Sequence, residues 1–387
     1  MTTTDSSARS WHVAYAQLKQ FISVRSDIAI SHGGVTISSD AKEEFYRLFD
    51  ATRIAFIEEH CHSVMNRGLE LSRHYKALRA GLLREAGFDS VETSTDLAWF
   101  LEEPYDGVMR FLFDPLFKLL KNQMELEEFE RIASRKANDA FTALFREGYQ
   151  RWVALGIIRR FSPDKSYRVP AKDAIHDVMI GEGHERPGQF TSDVPMVQEI
   201  SGISFELHPV ISFIVPRITT RSRRTGTFMA MHTDFREAEW TARQRSSNME
   251  WHEIAAIKAE HKLSKIRPDL YKKDWYELDP VLPDLALYAA TNVDDLSLVA
   301  DYKYMLRPEI CIAVMESPNW HEAVNPEDIK RRLLSLHPRQ GAFIICQQEI
   351  PTSAITTFGG NDDIKLLHIG YNEDALETIS GLLLPLS

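Results

Sequence analysis

The chain has 387 residues, 44% hydrophobic and 26% charged, with a formal net charge of −11. This length allows two or three domains with their own cores, and the composition excludes a disordered or fibrous protein. The negative charge argues against a protein that coats nucleic acid by bulk electrostatics. The polar start lacks a secretory signal, no apolar run approaches the ~20 residues of a membrane span, and the three cysteines give no disulfide framework. We therefore expect a cytoplasmic protein without membrane contact.

Residues 1–38 are predicted to form a small opening segment with a hairpin. The stretch "DIAISHGGVTIS" has two alternating halves around a glycine pair, and glycine accepts the positive φ of tight turns. From residue 39 to 178, apolar residues recur at helical spacing, beginning with Phe45 and Phe49. We expect a mostly helical domain there.

The end of this region resembles the last helix and wing of a winged-helix module. The stretch "GYQRWVALGIIRRFSPDKSYRVP" runs from a helical pattern through a turn at 162–164 into a short extended piece at 167–169. A DNA-reading role is one interpretation. Any helix that leads into a hairpin gives the same pattern, so a purely structural connection stays open.

Residues 179–193, "MIGEGHERPGQFTSD", are the predicted linker, because they are rich in glycine and polar residues without periodicity. Strand and helix patterns alternate from 194 to 387. The stretch "NPEDIKRRLLSLHP" predicts a helix capped by Asn325. The stretches "GAFIICQQ" and "DIKLLHIGYN" predict strands, and "EDALETISGLL" predicts a closing helix. The expected fold is a helical N-terminal region followed by an α/β domain with a mixed central sheet.

Two predicted strands, "LPDLALYAA" and "LSLVADYKY", contain charges that a buried strand would not select. Side chains two positions apart share a face, so Asp301 and Lys303 are neighbours. The turn-like "ATNVDD" predicts that the strands pair as an antiparallel hairpin, which would bring Asp284 to the same end of the sheet. An edge hairpin with a solvated Asp–Lys pair is the alternative.

Asp284 and Asp301 would repel each other unless a cation lies between them. Mg²⁺ or Mn²⁺ takes oxygen ligands and leaves positions for water and a phosphate oxygen. The nearby Lys303 would act on the attacking water or on the charged phosphate, and the metal would supply Lewis acidity. These parts are those needed to hydrolyse a phosphodiester.

Pro283-Asp284, followed after sixteen residues by Asp301-Tyr302-Lys303, resembles the signature of the PD-(D/E)xK, or restriction-endonuclease-like, nuclease superfamily. The form of the motif is most similar to that of the nuclease subunit of McrBC-type restriction systems. The resemblance is limited to the C-terminal domain. It implies a restriction-endonuclease-like fold, two aspartates that hold the metal, and a lysine that serves the catalytic water.

The same resemblance implies an acidic residue on a helix before the first motif strand. In "NMEWHEIAAIK" the candidates are Glu250, as a further metal ligand, and Glu253, as a catalytic residue.

Four arginines in "RITTRSRRTGTF" are candidates for substrate binding, because the planar guanidinium fork suits phosphate. They are Arg217, Arg221, Arg223 and Arg224. The segment from 217 to 273 has 13 Lys or Arg against 7 Asp or Glu, so it is positive within an acidic chain. The alternative is a hairpin tip with solvated charges.

The sequence therefore predicts a Mg²⁺- or Mn²⁺-dependent DNA endonuclease, the effector of a restriction or anti-phage defence system, with RNA as a substrate left open. The helical domain would contact a protein partner or form a homo-oligomer. The alternative is a non-catalytic interaction or regulatory protein with a degenerate nuclease-like domain.

Overall fold

The computed structural model describes residues 10–31, 34–168, 197–205, 217–233, 283–296, 308–334, 336–360 and 362–384. The chain divides into two compact units. The first comprises Met1–Ala77 and Ser94–Tyr149, and the second comprises Leu78–Thr93 and Gln150–Ser387.

The N-terminal region is helical, as the apolar spacing predicted. Its helices are α1 (Trp11–Ser23), α2 (Ser39–Ala86), α3 (Thr95–Glu102), α4 (Pro104–Met109), α5 (Phe113–Leu120) and α6 (Leu126–Arg160). The division between the units falls within α2 and α6. Helix α2 ends at Ala86 and is followed by Gly87, whose φ of 73° is one that glycine adopts without strain.

Aromatic side chains form much of the core of the first unit. Phe45, Phe49 and Phe56 of α2 are fully buried. Trp11 packs on Phe56 and Phe129 with ring centroids 5.4 and 5.1 Å apart. The predicted hairpin is present as β1 (Ile28–Ser31) and β2 (Gly34–Ile37), which pair antiparallel.

The second unit contains a mixed sheet, which confirms that part of the predicted fold class. The strands are β4 (Pro163–Arg168), β5 (Gln198–Ile200), β7 (Arg217–Ser222), β8 (Phe228–His232), β9 (Leu285–Ala290), β10 (Ile310–Met315), β11 (Ala342–Cys346) and β12 (Ile364–His368). Their order in the sheet is β12-β11-β10-β9-β8-β7-β4-β5. Two shorter strands, β3 (Ser90–Glu92) and β6 (Gly202–Ser204), form a separate parallel pair.

Strands β10, β11 and β12 run parallel to one another. Strands β7, β8, β9 and β10 form three antiparallel pairs of neighbours. Parallel neighbours need crossover connections, and helices α7 (Trp320–Ala323), α8 (Pro326–Leu334) and α9 (Thr352–Phe358) lie in them. A last helix, α10 (Glu377–Leu382), ends the described chain. Alternate residues of β10 and β11 pack with Ile329 and Leu333 of α8 in one buried cluster.

Two predicted strand arrangements differ from those observed. The stretch read as a wing is β4, which pairs with β5 and β7 inside the mixed sheet. Strand β9 has β8 on one edge and β10 on the other at residues 286–287, so the predicted pairing with "LSLVADYKY" is replaced there. The predicted linker, 179–193, lies outside the described residues.

Candidate active site

Asp284 lies at the point where β9 begins, and it closes the hydrogen-bond ladder between β9 and β10. Its backbone N–H donates to the carbonyl of Ile312, 2.8 Å away. Its side-chain Oδ2 accepts from the backbone N–H of Val314, also at 2.8 Å. Pro283, which has no N–H of its own, stands just before it. The Pro-Asp pair thus has a structural reason: the carboxylate accepts from a strand N–H where the ladder ends.

The second oxygen of this carboxylate, Oδ1, forms an ion pair with Nη2 of Arg332. Arg332 lies in the last turn of α8, beside the buried Leu333 that anchors this helix on the sheet. The side chains of Asp284 and Arg332 are 8% and 16% exposed. Because both side chains are largely buried, removal of either partner would strongly reduce the free energy of unfolding.

His232, the last residue of β8, lies on the same face of the sheet as Asp284. It is the direct partner of Ala286 in the pairing of β8 with β9. It is therefore a diagonal neighbour of Asp284, at a typical separation of about 7–8 Å. Its ring is fully buried and lies edge-on to Tyr288, with centroids 5.3 Å apart.

The carboxyl ends of β10 and β11 lie at the same end of the sheet as Asp284. Gln347 follows β11 there, is buried, and donates from Nε2 to the hydroxyl of Tyr371 at 2.8 Å. Ligands of open α/β sheets bind outside the carboxyl ends of parallel strands. Asp284, His232 and Gln347 therefore share a position that is typical of binding sites.

Three of the four candidate substrate arginines lie at the opposite end of the sheet. Arg221 pairs with Phe228, which pairs with Ala290 at the far end of β9 from Asp284. Six residues of strand separate the two ends, about 20 Å. Arg223 and Arg224 follow in the β7–β8 turn at that far end.

Two of these arginines make internal contacts. Arg221 donates to Asp164 through Nε at 3.0 Å and Nη2 at 2.5 Å, and this lowers the pKa of Asp164. Arg223 donates to the carbonyl of Glu85 in the last turn of α2, where helix carbonyls lack partners within the helix. Arg224 is exposed. Only the backbone of Arg217 is described, and it pairs with His232 at the Asp284 end.

The remaining predicted site residues lie outside the described part of the chain. They are Asp301, Lys303, Glu250 and Glu253. The convergence of Asp284 with Asp301 and Lys303 stays a prediction.

Sequence reasoning missed Arg332 and His232. Arg332 reads as one of several bases that suit a helix C-terminus, and His232 reads as the last residue of an apolar strand. Neither position carries a local signal that indicates Asp284 as its neighbour, because Asp284 lies far from both along the chain.

Among the described residues there is no group of three or more His, Cys, Asp or Glu side chains that could hold a metal ion. No helix in those ranges is long and apolar enough to cross a membrane. Comparisons of the chain with protein-family models, with curated proteins and with solved structures found no match.

Proposed function

We propose that this protein is a metal-dependent DNA endonuclease, the effector of a restriction or anti-phage defence system. The observation that supports the proposal is the position of Asp284. Its carboxylate is 8% exposed and lies at the start of β9, next to the carboxyl end of β10. Carboxylate oxygens are the ligands that a hard divalent ion prefers, and ligands of open α/β sheets bind at the carboxyl ends of parallel strands.

The donor set fits Mg²⁺ or Mn²⁺ in part. Asp284 supplies a carboxylate, and by the family resemblance Asp301 and Glu250 would complete the ligands. When bound, the ion would supply Lewis acidity for phosphodiester hydrolysis. In the same assignment Lys303 would hold the attacking water, and Glu253 would assist as a further acidic group.

We propose fewer substrate-binding arginines near Asp284 than the sequence suggested. Arg217 is at the Asp284 end of the sheet, whereas Arg221, Arg223 and Arg224 are about 20 Å away along the strands. We propose that Arg217 binds the phosphate group whose ester bond is cleaved. The other three would contact only a nucleic acid long enough to extend along the sheet.

The first unit is the proposed surface for a protein partner or a second copy of the chain. It exposes large apolar side chains, among them Trp99, Phe111 and Phe113. Aromatic residues are enriched at protein interfaces.

Plasmid cleavage with Mg²⁺ or Mn²⁺ tests the catalytic assignment. We expect cleavage by the wild type and loss of cleavage in Asp301→Ala and Lys303→Ala. The matched control is Lys365→Ala, which removes the lysine of a second Asp-x-Lys triplet at the start of β12 and should leave cleavage unchanged. Equal cleavage by all four proteins would show that the motif residues have no catalytic role.

A non-catalytic interaction protein is the second candidate, and one observation favours it. Both oxygens of Asp284 already accept from the protein, one from Arg332 and one from Val314. The thermal midpoint with and without Mn²⁺ distinguishes the two functions. A bound ion must stabilise the folded state by mass action, so an unchanged midpoint at millimolar Mn²⁺ would support the second candidate.

A further inference from the structure

Arg332 differs from the two basic residues that precede it on α8. Lys330 and Arg331 each pair, at 2.8 Å, with an acidic residue three positions earlier on the same helix. Such local pairs are usual for exposed helix charges. Arg332 instead crosses to the sheet and contacts Asp284, and its side chain is 16% exposed against 68% for Arg331.

Arg332 therefore places a positive charge next to Asp284, the proposed metal ligand. Because the Asp284 carboxylate is only 8% exposed, water screens its interactions weakly. A divalent ion on Oδ1 would lie against the guanidinium, and like charges in a poorly solvated place repel strongly. The carboxylate also needs a positive partner when it is alone, since an unpaired buried charge is unfavourable. Arg332 and a divalent ion are thus alternative partners of one carboxylate.

We infer that Asp284 is a cation-exchange site, in which Arg332 holds the carboxylate in the metal-free protein and a divalent ion binds there by displacing the guanidinium. This inference rests on the proposed function and adds its regulation. Arg332 weakens metal binding, and metal binding releases the last turn of α8 from the start of β9.

Titration of Mn²⁺ into the full-length chain, followed by the electron paramagnetic resonance of free Mn²⁺, tests the inference. Arg332→Gln keeps an N–H donor for Asp284 without the charge, and Arg332→Met removes both. Removal of a neighbouring charge changes the affinity of a carboxylate for a cation by about tenfold or more. We expect that increase in Mn²⁺ affinity in both variants, and its loss when Asp284→Asn is added.

The matched control is Arg331→Met, which removes an equal charge one residue away on the exposed face of α8. It should bind Mn²⁺ like the wild type, because Arg331 pairs with Asp328 rather than with the sheet. Circular dichroism checks that each variant is folded, and Arg332→Gln serves if Arg332→Met does not fold.

An unchanged or weaker Mn²⁺ affinity in Arg332→Gln overturns the inference. If the wild type cleaves DNA through Asp284 while that affinity does not rise, the nuclease function stands and the exchange fails. If the affinity rises through Asp284 but no variant cleaves, the exchange stands and the nuclease function fails. Absence of Mn²⁺ binding in every variant removes both.

Discussion

Removal of the Asp284 carboxylate should destabilise the second unit strongly even when no metal is present. In Asp284→Ala the largely buried guanidinium of Arg332 loses its ion pair with this carboxylate, and the N–H of Val314 loses the Oδ2 acceptor. Removal of one partner of a buried ion pair costs about 3–5 kcal/mol. An unsatisfied backbone N–H adds to this, so the expected loss lies in the upper part of that range.

Asp284→Asn separates the two contributions. The amide keeps a carbonyl oxygen that can accept from Val314, but it lacks the charge that attracts Arg332. A hydrogen bond to a charged group contributes about 1.5–3 kcal/mol, and we expect a loss of that size. The double variant Asp284→Asn with Arg332→Met has neither charge, so it should lose less stability than the two single changes together.

Urea unfolding in EDTA, followed by far-ultraviolet circular dichroism, measures these free energies. For side chains in direct contact the interaction energy in such a double-mutant cycle reaches about 3 kcal/mol, and we expect about 2 kcal/mol here. An interaction energy below about 0.5 kcal/mol, with Asp284→Ala near the wild type, would refute the description of this pair as buried and structural.

Three further predictions concern other parts of the molecule. Gly107→Ala should destabilise the first unit by about 1–3 kcal/mol, because a Cβ there would lie 2.5 Å from a backbone atom of α3, while Gly381→Ala, with open space, should be neutral or slightly stabilising in thermal melts. The hydrogen bonds of Arg25 hold the pKa of Asp27 below its usual range. Its contribution to stability is therefore present above the unfolded pKa of about 3.9 and is lost as the pH falls; a shallower acid limb of the stability curve in Asp27→Asn is expected, and an identical limb would contradict it. All three cysteines are buried, and burial raises the pKa of Cys346 to about 12; a thiol reagent at pH 8 should react with them only after denaturation, and a fast native reaction would show that one is accessible.

Local residue patterns predict several of the described helices and strands without any knowledge of the tertiary fold. Helix α8 begins where Asn325 and Pro326 predicted, and the Asn325 side chain accepts from the N–H of Glu327 at 3.0 Å. The hairpin of β1 and β2 and the helical N-terminal region also follow the predicted patterns. Caps, apolar periodicity and turn residues act over a few residues, so a single sequence contains them completely.

Strand pairing and contacts between distant side chains depend on the whole fold. Strand β9 was expected to pair with the next apolar stretch, but its neighbours at residues 286–287 are β8 and β10. The partner of Asp284 is a helix residue 48 positions away that resembles any other basic residue in a last turn. These choices depend on which apolar faces can be buried together across the whole sheet, and on which buried charge needs an opposite one nearby. Neither the shared burial of distant apolar faces nor the pairing of a buried charge can be read from a local stretch. The sequence therefore indicated Asp284 as a site residue without indicating its pairing with Arg332.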